Sequence, residues 1–501
     1  MESFVYLLFI ILSSAYCQEG QGLVYYVTAT GTDCPLVHQQ YCQSLNDYAN
    51  QSHWSTVSNN VTFLFLPGEH SFKGKFKIKG VSYVTLRGIE SQFESRAMIN
   101  CEEVKINSVS ILFIESLKIA NLTMLIIENT TEITVSKISS QTLSISVSSS
   151  VTILQSEFIA NSPLTMVHLT HISDTIFIQD VVVVSSRIGT CFYSFISPYD
   201  NFTFTLKDSI IICWDHSGIY ISSSVIKESS KSFLEFSNVT LGSNDAIAQI
   251  SVHFTGNIML TDVKIFNASG VTLSSEANPI FLERVYFTNS ATGLLIRAYL
   301  GHVYFTDVSL MNTGGLHIGY CDLCYFKHLK VSNGTNGIIV NSAKTSVTLI
   351  NCTITNNSNT GFRIKGQAEI IFAEHPSRIF DNASPDNGGG LWISQGITIS
   401  FIARVSFARN VAKGVGGAIY VDNDPLSNNK DRDCTLKYKH KITSYFWDNY
   451  GELGGNDIYG GFYWDCCYKP FGTNCKKVTS SDHLFRKQLL LEYVVVLVLG
   501  N

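Results

Sequence analysis

Charge is scarce in this chain. Asp, Glu, Lys and Arg together make up 15% of the 501 residues, 35 basic against 40 acidic. No run of Lys or Arg can track a phosphate backbone, which speaks against nucleic acid as a partner. Proline is rare at 9 residues, and with 45% hydrophobic residues the balance excludes a disordered chain. Apolar runs stop short of the roughly 20 residues that a membrane helix needs. Amphipathic helical periodicity is missing from about Val61 onward. In its place stand short β-branched and aromatic segments separated by Asn, Gly and Ser, the pattern of an all-β chain.

These segments recur at a fixed spacing. Thr261 to Asn267 with Gly270 is followed by Glu283 to Asn289 with Gly293, and then by Thr306 to Asn312 with Gly315. Lys327 to Asn333 with Gly337 and Ile350 to Asn356 with Gly361 continue the series. The Asn steps are 22, 23, 21 and 23 residues. An apolar-variable-apolar triplet follows each Gly, from Leu294-Leu-Ile296 to Leu391-Trp-Ile393, and residues two and four before each Asn are apolar. Period-two alternation places these side chains on one face. Asn accepts the left-handed backbone conformation, which predicts a bend at each of these positions. A unit of this size with two or three strands and no helix cannot bury its apolar face alone, so it must stack. Pairing each strand with its equivalent one repeat later predicts one parallel β-helix solenoid of about sixteen coils, right-handed by the crossover rule. The expected boundaries are a cap over 18–60, the solenoid over 61–430, final coils and a Cys-rich cap over 431–480, and a tail over 481–501.

Residues 1–17 read as an export signal, with an apolar run from Phe4 to Leu12 and cleavage before Gln18, although Glu2 stands where a basic residue is usual. Removing Cys17 leaves an even number of Cys, enough for as many as six bridges in an oxidising compartment. Cys34 with Cys42 is expected to close an N-terminal loop. Cys191 and Cys213, one coil apart, can bridge, and Cys434, Cys466, Cys467 and Cys475 can staple the C-terminal cap. Cys352 reads as an inward-facing thiol. Eleven Asn-x-Ser/Thr acceptors occur, at Asn50, Asn60, Asn121, Asn129, Asn201, Asn238, Asn267, Asn333, Asn351, Asn356 and Asn382. A secreted or cell-surface glycoprotein is expected. Membrane attachment follows only if the apolar tail from Leu489 is an anchor signal or a truncated span.

The stacked pattern resembles the right-handed parallel β-helix of pectate lyases and polygalacturonases, over roughly residues 60 to 460. Phe407-Ala-Arg-Asn410 with Gly416-Gly-Ala-Ile419, echoed by Phe380-Asp-Asn382 with Gly389-Gly390-Leu391, is similar to the F-x-x-N and G-G-A-I repeats of polymorphic outer-membrane proteins. That second likeness covers two or three coils. Arg363-Ile364-Lys365 matches the R-I-K triplet of polygalacturonases, but their N-T-D, D-D and G-H-G motifs are missing. Trp214-Asp215-His216 is similar to a pectate lyase segment with one residue lacking. The resemblance therefore implies the fold and leaves catalysis open.

Two constellations are candidates for chemistry. Aligning the repeats puts Asn238, Asp262, Arg284, Asp307, His328 and Asn351 in one outward column, where neighbours pair across coils. Such a column either grips a glycan, houses a catalytic carboxylate, or fixes register through ion pairs. Asp215 and His216 form the second, at a bend. His317, Cys321, Cys324 and His328 have the residue types of a zinc site. Their placement on different strands favours a disulfide or separate pairings instead, and no metal or cofactor is expected. The aromatic stretch Tyr445-Phe-Trp447 with Tyr450, Tyr459, Phe462, Tyr463 and Trp464 is expected to plug the end of the solenoid. The reading as a whole is a non-catalytic extracellular module for adhesion, recognition of glycans or surface proteins, or scaffolding. The alternative is a polysaccharide lyase or hydrolase centred on Asp262, Arg284, Asp307 and His328 or on Asp215 and His216.

Overall fold

A computed structural model describes residues 23–29, 42–49, 59–89, 96–120, 123–160, 166–185, 190–196, 202–213, 218–223, 231–243, 249–276, 278–299, 301–394, 397–422, 436–438 and 445–459. The chain divides into two units, 1–211 and 212–501. Both are wound from parallel strands, and the described residues contain a single short helix, α1 (Leu45–Ala49). The winding has three strands per turn, at the upper end of the expected two or three.

One turn of the second unit shows why. Leu294–Ala298 leads into His302–Thr306, then Ser309–Met311, before the chain returns one level on at Leu316–Tyr320. Leu294 pairs with Leu316, Val303 with Cys324 and Leu310 with Val331, all parallel and in register. The inward rows are continuous. Leu310, Val331, Ile354, Ile379 and Phe407 are mutual neighbours in successive turns, and each is at most 1% exposed. A strand that buries every second side chain against its own copy above and below cannot slip by one residue without exposing the whole row. The glycine column has an equally physical cause. A Cβ on Gly293, Gly315 or Gly337 would strike the carbonyl oxygen of Gly315, Gly337 or Gly361 in the next turn.

The predicted bends at Asn267, Asn289, Asn312, Asn333 and Asn356 all adopt the left-handed conformation, with φ between 50° and 55°. A second column of bends was not anticipated. Asn238, Asp262, Arg284, Asp307, His328 and Asn351, read in sequence as outward strand positions, are themselves left-handed, with φ between 51° and 56°. The corner separates the middle strand from the short third strand of each turn. At Asn382 and Asn410 the bend falls one residue before the Asn. Asp381 and Arg409 turn the chain, and the asparagines point inward.

Among the described residues of the first unit the winding begins at Leu23–Thr28, which pairs in parallel with Asn60–Phe65 and with Cys42–Ser44. It thus starts inside the segment expected to be a cap, because Tyr25 and Val27 already alternate into the core. Helix α1 covers this first turn. Ser44 and Asp47 cap it reciprocally, and the Tyr48 ring meets Tyr25 and Phe63 edge-on at 5.3 and 5.8 Å. The strands of the narrow third face run from Glu69–Ser71 to Val182–Ser185 in this unit and from Thr240–Ser243 to Tyr445–Trp447 in the second. At one per turn their number is close to the expected sixteen.

Candidate functional site

The outward column of the second unit is real, and its charges are spent on each other. Arg284 lies one turn above Asp262 and forks onto it, Nε to Oδ1 at 2.6 Å and Nη2 to Oδ2 at 2.9 Å, while Nη1 reaches Glu283. His328 Nδ1 sits 2.7 Å from Asp307 Oδ1. Arg409 forks in the same way onto Asp381, at the third-strand bends, at 2.6 and 2.8 Å. Stacking at about 4.8 Å brings such side chains together, and oppositely charged neighbours pair. The Arg284 guanidinium holds the Asp262 carboxyl below its ordinary range. That is the wrong direction for a general acid, which must hold its proton near neutral pH. Asp215, His216 and Trp214 lie outside the described residues.

The disulfide favoured over a zinc site is present. Cys321 and Cys324 form a disulfide with their Cα atoms 6.4 Å apart, and both are buried. His317 projects from Leu316–Tyr320, with Nε2 3.3 Å from the Gly314 carbonyl, and His328 belongs to the ion-pair column. Among the described residues no group of three or more His, Cys, Asp or Glu could hold a metal ion. Cys42, Cys191 and Cys213 are also disulfide-bonded. Cys352 is the inward thiol expected, and burial pushes it up to about 12. Cys101, to which sequence assigned no role, is a second buried free thiol, so the full six bridges are not reached. Cys34, Cys434, Cys466, Cys467 and Cys475 lie outside the described residues, as do residues 1–17 and the tail.

Three further features escaped sequence reasoning. The first is a ladder of buried asparagines, Asn357, Asn382, Asn410 and Asn449, in which each Nδ2 of the inner pair donates to the next Oδ1, at 3.0 Å in both cases. The signal was present in Phe407-Ala-Arg-Asn410 and in Phe446-Trp-Asp-Asn449, where the apolar residue three before the Asn faces inward with it. The second is Asp180 beside Asp208, at left-handed bends in successive turns of the first unit. Burial and the neighbouring Asp208 raise the Asp180 carboxyl. The third is an outward stack in which Arg363 lies 4.7 Å over Trp392, Trp392 packs against Tyr420 at 6.2 Å, and Tyr420 stacks on Tyr459 at 6.0 Å. These rings spend their faces on one another, which leaves edges and not faces for a sugar. The C-terminal aromatics do not form a plug within the described residues. Tyr445, Trp447 and Tyr450 are exposed, and Phe446 stacks on Phe407. Phe462, Tyr463 and Trp464 fall outside.

One open groove of about 460 Å³ runs beside the asparagine bends, lined by Asn312, Asn333 and Asn356 with Ser290, Thr313 and Thr335. It contains no acid, base or thiol.

Residues 248–373 match the sequence model of the right-handed β-helix region. The chain has the fold of a right-handed β-helix, with parallel strands that repeat turn by turn. The matched stretch holds the ion-pair column, the Asn bends and the groove of this β-helix. Among solved structures, the β-helix is similar to the catalytic unit of a thermostable GH87 alpha-1,3-glucanase from Streptomyces thermodiastaticus strain HF3-3. The identity is 10% and the TM-score 0.31, over 81% of this chain and 66% of that one. The chain therefore spans just under two thirds of the length of that structure. No curated protein matches the sequence.

Proposed function

We propose that this β-helix is a non-catalytic extracellular module that presents a rigid surface for recognition, adhesion or scaffolding, with glycans or surface proteins as partners. The carrying observation is the pairing of the charged column: Asp262, Arg284, Asp307 and His328 are engaged in pairs with neighbours one turn away. A site that turns over substrate keeps such groups free to move protons or to stabilise developing charge. A column locked into pairs fixes register instead. The export signal and the acceptor motifs support a secreted or cell-surface location.

Incubating the protein with a panel of neutral and acidic polysaccharides tests the reading. Saturable binding without product supports it, and turnover that disappears in Asp307→Ala or Asp215→Ala overturns it. A second reading, polysaccharide hydrolysis, has one observation in its favour, the Asp180 and Asp208 carboxylates in successive turns with Asp180 raised. Glycoside hydrolases use a pair of carboxylates of which one keeps its proton. Turnover lost in Asp180→Asn and retained in Asp307→Ala would establish that second reading in place of the first.

A further inference from the structure

On the exposed bend column of the second unit, the asparagines fall into two kinds. Asn289 Nδ2 donates to Asn267 Oδ1 at 3.1 Å, and Asn312 Nδ2 donates to Asn289 Oδ1 at 3.2 Å. Neither Asn289 nor Asn312 is followed by Ser or Thr at the second position. The ladder then stops. Asn333 and Asn356, in the next two turns, are exposed and line the open groove, and among the described residues their Nδ2 atoms have no acceptor. Both are Asn-x-Ser/Thr acceptors. Asn267, at the other end of the ladder, accepts through Oδ1 and among the described residues leaves Nδ2 unused, and it too is an acceptor motif. Asn351, at the neighbouring column, is exposed with Nδ2 likewise unused among the described residues.

Asn382 is the opposite case. It has the same motif, but it is 0% exposed, and its Nδ2 donates to the Ile354 and Phe380 carbonyls at 3.1 Å each and to Asn410 Oδ1 at 3.0 Å. With two protons on that nitrogen, nothing is left for a substituent, and the inward side has no room for one. Its Cγ and Nδ2 already sit where a Cβ on Gly361 would go.

We infer that the β-helix is N-glycosylated along one edge of its second unit, at Asn267, Asn333, Asn351 and Asn356, and that Asn382 is unmodified in the folded protein. In the linking step a glycosyl donor with a diphosphate leaving group loses its C1–O bond. Nδ2 forms the new C1–N bond, and one amide proton passes to a base. The remaining proton keeps one hydrogen bond available, which suffices at an exposed bend and fails at Asn382. The Asn333 and Asn356 sugars then occupy the groove, which assigns the groove to the protein's own glycans and not to a free ligand. The inference rests on the proposed secreted location.

The test is expression of the full chain in a eukaryotic secretory cell, alongside a second form with a proven export signal ahead of Gln18. Secreted folded protein is treated with peptide N-glycosidase in heavy-oxygen water, and its peptides are weighed. Modification at Asn267, Asn333, Asn351 and Asn356 with unmodified Asn382 is the expected result. A modified Asn382, or bare Asn333 and Asn356 in the form with the proven signal, overturns the assignment. Failure of the natural form alone to enter the pathway instead removes the proposed location and leaves the site pattern to be decided by the second form. Asn333→Gln and Asn356→Gln should lower the unfolding midpoint only by the small cost of Gln at a left-handed bend, whereas Asn382→Gln, which breaks buried hydrogen bonds, should lower it much further.

Discussion

Replacing Asn410 by Ala probes the part of the core that the repeat pattern alone does not explain. Asn410 is 0% exposed. Its Oδ1 accepts from the Asn382 backbone N–H at 3.2 Å and from Asn382 Nδ2 at 3.0 Å, and its Nδ2 donates to the Ile379 carbonyl at 2.9 Å and to Asn449 Oδ1 at 3.0 Å. Truncation leaves these partners without Asn410 inside an apolar row where water does not reach. Each buried group left unmade costs about 1–3 kcal/mol. Asn382 Nδ2 and Asn449 Oδ1 retain other partners, so the full penalty falls on about two groups, and with the cavity the expected loss is roughly 4–6 kcal/mol. Asn289→Ala removes the same side chain from the exposed ladder and should cost only about 1–2 kcal/mol, the penalty of Ala at a left-handed bend, because water replaces the lost bonds. Urea unfolding of both variants compares the totals, and hydrogen exchange at the Asn382 and Asn410 amides localises the effect, which stays within neighbouring turns in a solenoid. Equal losses in the two variants, or undiminished protection at Asn382, would refute the reasoning.

The other predictions follow from single geometries. Gly337→Ala drives a Cβ into the Gly361 carbonyl and should cost about 3 kcal/mol, read as a lower urea midpoint. Val147 is a β-branched residue at φ 54° and half exposed, so Val147→Asn should stabilise by about 1 kcal/mol, read by thermal unfolding. Burial holds the His70 imidazole below its ordinary value, with Nε2 2.7 Å from the Leu66 carbonyl. The unfolded chain then takes up the proton more readily than the folded one. Stability should therefore be intact above pH of about 6.5 and fall as pH drops below it, and titrated unfolding of His70→Gln should lose that component of the slope. Asp180 is raised, so the folded state binds its proton more tightly and this group favours folding as pH falls. Asp180→Asn should accordingly raise stability at neutral pH and flatten its dependence above the ordinary carboxylate value of about 3.9, where the folded and unfolded states bind this proton differently.

Much of this molecule is legible in the order of its residues. The spacing of Asn267, Asn289, Asn312, Asn333 and Asn356 gave the turn length, because a left-handed bend must recur at the same height in every coil and few residue types accept it. The inward rows were legible for the same reason, since strand alternation needs only the adjacent residues. The second bend column was not, because Arg284 and His328 do not advertise a positive φ. Their neighbours Asp262, Asp307, Asn238 and Asn351 did carry the signal. Cys321 and Cys324 resembled metal ligands by type and spacing, and which chemistry they share depended on both sulfurs falling on the inner side of one corner.

By itself the sequence determined the period, the parallel stacking and the apolar filling, since these arise from local preferences repeated many times and reinforced by burial. The tertiary structure alone decided which polar side chains spend their hydrogen-bonding capacity on one another. Pairing across a turn depends on residues about 22 positions apart meeting at about 4.8 Å. Whether Asn382 faces inward and Asn356 outward turns on a one-residue displacement of a bend, and the motif around each is the same.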